Sequence, residues 1–169
     1  MGTLGTAATV AGLAALLIFA SSGPPLSPPA RAQAAAPQPD YHPSMADLMT
    51  LAVQPRHTKL GLAGRARNWP YAAYEVSELK NAFARIARTV PVFNGNDTAA
   101  LVSARIRPQL DQLEAAIKIR DGRRFDTAYA DVTDACNVCH RALSHDPIVI
   151  KVPDAAAFPD QDFRSRAGH

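Results

Sequence analysis

The sequence predicts an all-α fold, an antiparallel up-down-up-down four-helix bundle followed by an extended C-terminal tail. Three observations predict it. Apolar residues recur at helical spacing in segments that fill most of the chain between Ser44 and Ser144. Short connections with turn signals, clearest at Asn94-Gly95-Asn96, join them. Strand-like residues are confined to Ile148-Val149-Ile150-Lys151-Val152, too short a run to found a sheet.

The first helix is predicted from about Ser44 to Ala63, with Met45, Met49, Ala52, Arg56, Leu60 and Ala63 at helical spacing and Gly64 as its stop. Pro55 lies inside it and cannot donate to the Leu51 carbonyl, which predicts a kink or a break. The second helix, about Pro70 to Thr89, opens on proline at its first position and stops before Pro91. The third takes Asp97 or Thr98 as its N-cap and runs to Arg120, with Leu101, Ile106, Leu110, Leu113 and Ile117 as its apolar stripe and a kink expected at Pro108. Asp121-Gly122 separates it from the fourth, about Arg123 to Ser144, whose Phe125, Tyr129, Val132, Cys136, Cys139 and Leu143 form an inward seam. Four such helices with short loops bury their stripes most simply as a bundle over residues 44–145. The tail, 146–169, is apolar enough at Ile148, Val149, Ile150, Val152, Phe158 and Phe163 to be expected to pack on it.

Residues 1–32 read as an export signal, an Ala-rich run with Leu13, Leu16, Leu17, Ile18 and Phe19 followed by small residues at Ala30-Arg31-Ala32 or Ala32-Gln33-Ala34. No Lys or Arg precedes the apolar run, so an uncleaved anchor stays open, and membrane contact is expected only in that case. Residues 33–43 read as a flexible Pro/Ala linker. The chain carries 18 basic and 15 acidic side chains, and without Arg31 the basic count is 17. The basic residues are spread along the chain, which predicts no nucleic-acid face despite a pI near 9.1.

The only 2 cysteines stand in Cys136-Asn137-Val138-Cys139-His140. This is the spacing of covalent haem attachment: two thiols on one helix each form a thioether to a haem vinyl group, and the following histidine coordinates the iron. Its other ring nitrogen is expected to donate to a carbonyl or carboxylate that fixes the tautomer. A structural zinc site needs four ligands, and although His42, His57 and His145 are available, no second pair stands at finger-like spacing. A dithiol redox pair would want a βαβ setting, and the remaining alternative is a disulfide or two buried thiols.

A CxxCH motif in the last helix of a predicted four-helix bundle resembles the cytochrome c prime class. From about Met45 to Phe163 the chain also resembles a group of small exported cytochrome-like proteins. The shared features are Met49, Gln54, Arg56-His57, Lys59-Leu60, Ala63-Gly64, Asn68-Trp69, Tyr74-Glu75, the haem motif, Ile148-Val149-Ile150 and Gln161-Asp162-Phe163. Pro55 departs from the class. The resemblance implies the bundle fold and one covalently attached haem c and says little of the physiological partner; the export signal predicts a periplasmic location, and the electron-transport reading a redox partner protein. A homodimer is compatible with it.

For the iron, the sequence assigns Cys136 and Cys139 to attachment, His140 to one axial position and Met49 to the other. In an antiparallel bundle the end of the fourth helix lies beside the start of the first, and Met49 is one turn inside that start. Met45 is the reserve. On a regular helix His57 lies about 12 Å further along and about 80° away in phase, which reads as a surface or propionate-contacting histidine unless the Pro55 kink turns it inward. With neither bound the iron is five-coordinate. Two functions follow: a one-electron carrier with the sixth position filled, or a binder or sensor of NO or CO with it open. A peroxidase finds little support, since only Arg56-His57 offers distal acid-base chemistry, on unsuitable phase. Trp69 is expected to cap the end away from the haem, and Arg56, Lys59, Arg65 and Arg67 form a basic group that can meet propionates or a solvated face.

Overall fold

The computed structural model describes residues 2, 40–155, 157–158 and 160–165. Apart from residue 2, the expected signal segment 1–32 lies outside the described residues, as do 33–39 of the expected linker. Every element below belongs to the unit Pro39–His169. Among the described residues no helix is long and apolar enough to cross a membrane.

The fold is all-α apart from one hairpin. Helix α1 (Met45–Leu48) opens on a capping box, in which Asp47 N–H donates to Ser44 Oγ at 3.1 Å and Ser44 N–H donates to Asp47 Oδ2 at 2.9 Å. A π-helical turn (Met49–Val53) leads without interruption into α2 (Gln54–Arg65). Then come α3 (Trp69–Thr89), strands β1 (Val92–Phe93) and β2 (Asn96–Asp97), and α4 (Thr98–Leu101). A second π-helical turn (Val102–Ile106) joins α4 to α5 (Arg107–Lys118), and α6 (Gly122–Ala142) follows. Asp97 is the cap of α4, accepting from Ala100 N–H, and Asp121 caps α6.

Neither proline breaks its helix; the local irregularity expected at each takes the form of a π-helical turn just before it. In both places the last amide before the proline reaches five residues back rather than four: Gln54 N–H bonds to Met49 O, and Arg107 N–H to Val102 O. A proline has no amide to offer, and its ring clashes with the carbonyl four residues before it. Widening the preceding turn by one residue moves that carbonyl aside, and the helix continues.

Two further expectations change. Gly64 does not stop the first helix, which runs through Arg65 and ends where Arg67 takes a left-handed conformation, φ 56°. A Cβ on Gly64 would stand 1.8 Å from Phe125 Cζ, and one on Gly61 2.6 Å from Tyr129. These glycines let α6 lay its aromatic rings directly on the α2 backbone. The hairpin between α3 and α4 turns on Asn94 (φ 47°) and Gly95 (φ 75°), positive at both central residues as its right-handed twist requires.

Helix α2 packs against α3 and α6, α3 against α5, and α5 against α6. Leu60, Leu79, Ile86, Leu113, Phe125 and Val132 are fully buried between them, and each contributes about 1.5–3 kcal/mol over an exposed position. Glu75 is buried too, paired by Arg56 Nη1 at 3.2 and 3.3 Å. The expected basic group is thereby dispersed: Arg56 turns to Glu75, Arg65 to the Pro153 carbonyl, Arg67 to Asp126 and Lys59 to the Phe158 ring.

The tail is held through its backbone more than through its apolar side chains. Asn137 Nδ2 donates to Ile150 O at 2.8 Å while Ile150 N–H donates to Asn137 Oδ1 at 2.7 Å, so a side-chain amide pairs the tail as a strand would. Further on, Tyr71 stacks on Phe163 and donates to Gln161. Ile148, Val149 and Val152, expected to be buried, are 53%, 74% and 43% exposed, because polar anchors rather than these side chains hold the backbone there.

Replacing Gly64 by alanine is expected to cost about 1–3 kcal/mol, read as a lowered urea midpoint with unchanged slope. Combining it with Phe125→Leu should recover part of the loss, whereas two independent losses would add.

Candidate functional site

At one end of the helices lies a cavity of about 350 Å³, within the range of small-molecule and cofactor sites. Its walls are nearly all apolar. The first helix contributes Met45, Met49, Val53 and His57, and α3 contributes Phe83 and Ile86. The hairpin and third helix contribute Phe93, Thr98 and Val102, and α6 contributes Cys136, Cys139 and His140. Both π-helical turns stand on this wall. The residues singled out in the sequence for iron chemistry, Cys136, Cys139, His140 and Met49, with Met45 and His57 in reserve, therefore share one cavity.

The two thiols differ in depth. Cys136 is buried and Cys139 half-buried, both free. Burial, reinforced by the neighbouring Cys139, pushes the Cys136 thiol up to about 12, and burial raises Cys139 as well. Reactive dithiols of oxidoreductases have lowered values, so this pair has the opposite electrostatics.

His140 has its ring fixed from behind. Its Nδ1 lies 2.6 Å from the Ile148 carbonyl, to which only an Nδ1–H can bond, so Nε2 keeps its lone pair for a ligand role. The carbonyl that sets this tautomer comes from the tail, eight residues on. Two sulfurs three residues apart on one helix, followed by an imidazole with Nε2 free, are a donor set that fits covalent haem. Among the described residues no three His, Cys, Asp or Glu side chains cluster as a cage for a metal ion alone.

His57 is 5% exposed and faces the cavity, not the surface. The π-helical turn explains the change: one extra residue between Met49 and His57 reduces their phase difference from about 80° to about 20°. Both ring nitrogens are engaged. Thr133 donates its hydroxyl to Tyr129 O at 2.9 Å, so it accepts from His57 Nε2–H at 3.0 Å. Tyr129 O–H lies 3.1 Å from His57 Nδ1 and 2.7 Å from the His57 carbonyl, with the two rings stacked at 4.8 Å. Burial holds the imidazole neutral, lowered to about 4. Arg56 is tied to Glu75, so the adjacent Arg56-His57 pair does not stand free at the cavity.

Trp69 packs edge to face on Phe125, ring centres 6.0 Å apart. Phe125 precedes Cys136 by eleven residues, about 16 Å along the helix, so this aromatic contact sits away from the cavity. Sequence reasoning missed Thr98, which lines the cavity with its hydroxyl unpartnered, and the two π-helical turns. A proline inside each otherwise regular apolar stripe was their one signal. Comparison with family models, curated proteins and solved structures finds no match for the chain.

His57 makes stability pH-dependent. An ordinary histidine binds its proton near 6.5, so on acidification the unfolded chain is protonated before the folded one. The neutral imidazole thus contributes full stability above about 6.5, lost progressively toward about 4 and amounting to about 3 kcal/mol. His57→Gln is expected to flatten the melting temperature between pH 7 and 4; an equally steep fall would assign the dependence elsewhere.

Proposed function

We propose that the chain is an exported, periplasmic mono-haem c-type cytochrome of the cytochrome c prime-like class, carrying single electrons to or from a redox partner protein. The observation that carries this reading is the His140 ring, held by the Ile148 carbonyl at 2.6 Å with Nε2 left to ligate, on the same cavity wall as both thiols. The helix contacts α2–α3, α3–α5, α5–α6 and α6–α2 support an antiparallel up-down-up-down bundle, which brings the start of the first helix beside the end of the last.

Cys136 and Cys139 would hold the haem through thioethers, both sulfurs standing on the cavity wall three residues apart on α6. His140 would offer its Nε2 to the iron, and Met49, on the same cavity wall, would offer its thioether. When bound, the haem supplies an iron that passes between ferrous and ferric states, and a Met/His pair raises its potential. The apolar walls exclude water and keep the reorganisation on electron transfer small. His57 braces α2 against α6 and is not a ligand, since both its nitrogens are committed. A five-coordinate binder of NO or CO is the second reading, favoured by the apolar volume beside Met49.

Protein exported with a haem-attachment system is expected to keep its haem through acid-acetone extraction, and Cys136→Ala/Cys139→Ala to lose it. Colourless protein, or zinc in its place, would overturn the assignment. Met49→Ala should turn a low-spin haem high-spin, lower its potential and admit carbon monoxide, while His57→Ala should do little of this. A wild type already high-spin and open to carbon monoxide would favour the second reading.

A further inference from the structure

The cavity holds one polar group for which the fold provides nothing. Thr98 is 5% exposed, lines the cavity, and its Oγ1 has no hydrogen-bond partner; among the described residues it is the buried side-chain atom in that state. Leaving a buried hydroxyl unpaired costs about 1–3 kcal/mol, and a valine of nearly the same shape would avoid that. The backbone amide of Thr98 is satisfied by the Pro91 carbonyl at 3.0 Å, and the neighbouring Asp97 carboxylate turns to Ala100 N–H at 2.9 Å. The hydroxyl is therefore free to meet the cavity's occupant.

Its position indicates which atom it meets. Thr98 follows the hairpin directly, and that hairpin is tied to the loop after α6 by Asn94 Nδ2 donating to the Leu143 carbonyl at 3.0 Å. Val92, Asn94, Gly95 and Asp97 around it are exposed. Thr98 thus lines the cavity beside an exposed hairpin, with its hydroxyl buried. An acid group there keeps most of its hydration and turns one oxygen inward. The apolar plane of a haem carries two carboxylates at one edge, which matches a cavity with its polar point beside that hairpin.

We infer that Thr98 donates a hydrogen bond to a carboxylate of the bound porphyrin and so sets which edge of the macrocycle faces the hairpin. The inference rests on the haem reading. Full-length chain carrying Cys136→Ala/Cys139→Ala, so that binding is reversible, is titrated with ferric haem and with its dimethyl ester, whose carboxylates are blocked. Binding is followed by absorbance. Adding Thr98→Val is expected to weaken haem binding about tenfold and to leave ester binding unchanged, as befits a lost charge-assisted bond. Thr98→Ser should retain the wild-type preference. Equal losses for both porphyrins, or none, would overturn the inference while leaving the haem reading intact. If the chain with Thr98 binds neither porphyrin, the haem reading falls and this assignment with it.

Discussion

Two missing amides shape this molecule. Pro55 and Pro108 each fall inside a long helix, and each is accommodated by a π-helical turn that shifts the helical register by one residue. The shift is small in extent and large in effect, because it rotates everything downstream by about 100°. On the first helix it carries His57 from the predicted flank into the interior, where it meets Tyr129 and Thr133. Both widened turns stand on the cavity wall, so the segments that absorb the prolines are also those that bound the space between the helices.

On the opposite side, glycine does what proline does here. Gly61 and Gly64 remove the side chains that would hold α2 away from α6, and Tyr129 and Phe125 occupy the space. Tyr129 bonds to the His57 carbonyl at 2.7 Å, a contact that depends on this close approach. The buried Arg56–Glu75 pair secures the other flank of α2, against α3. The helix that carries Met49 is thus fixed on both sides.

Much of this was legible in the sequence. The apolar seam of α6, the cap at Asp97 and the Asn94-Gly95 turn follow from local rules whose energetics are local too. Cys136, Cys139, His140 and Met49 meet at one cavity, as spacing and helix order suggested. The rest depends on register and on long-range contacts. His57 looked out of phase because the helix was taken as regular, and Gly64 looked like a stop because only packing reveals a glycine used for close approach. The exposed Ile148 and Val149 were misjudged for a related reason: hydrophobicity says what a side chain prefers, whereas Asn137 and His140 hold the backbone and decide where it points.

The depth of Cys136 has a bearing on the order of events in biosynthesis. Once α6 is packed, this sulfur is shielded and its thiol is held neutral far above physiological pH. Bond formation at a sulfur needs access and some thiolate character, and the closed fold denies both. Any reaction at Cys136 is therefore favoured in an open chain, with α6 not yet docked on α2. The packing of α6 thus sets a condition on any reaction at this sulfur: the interior must open before a reagent can reach it.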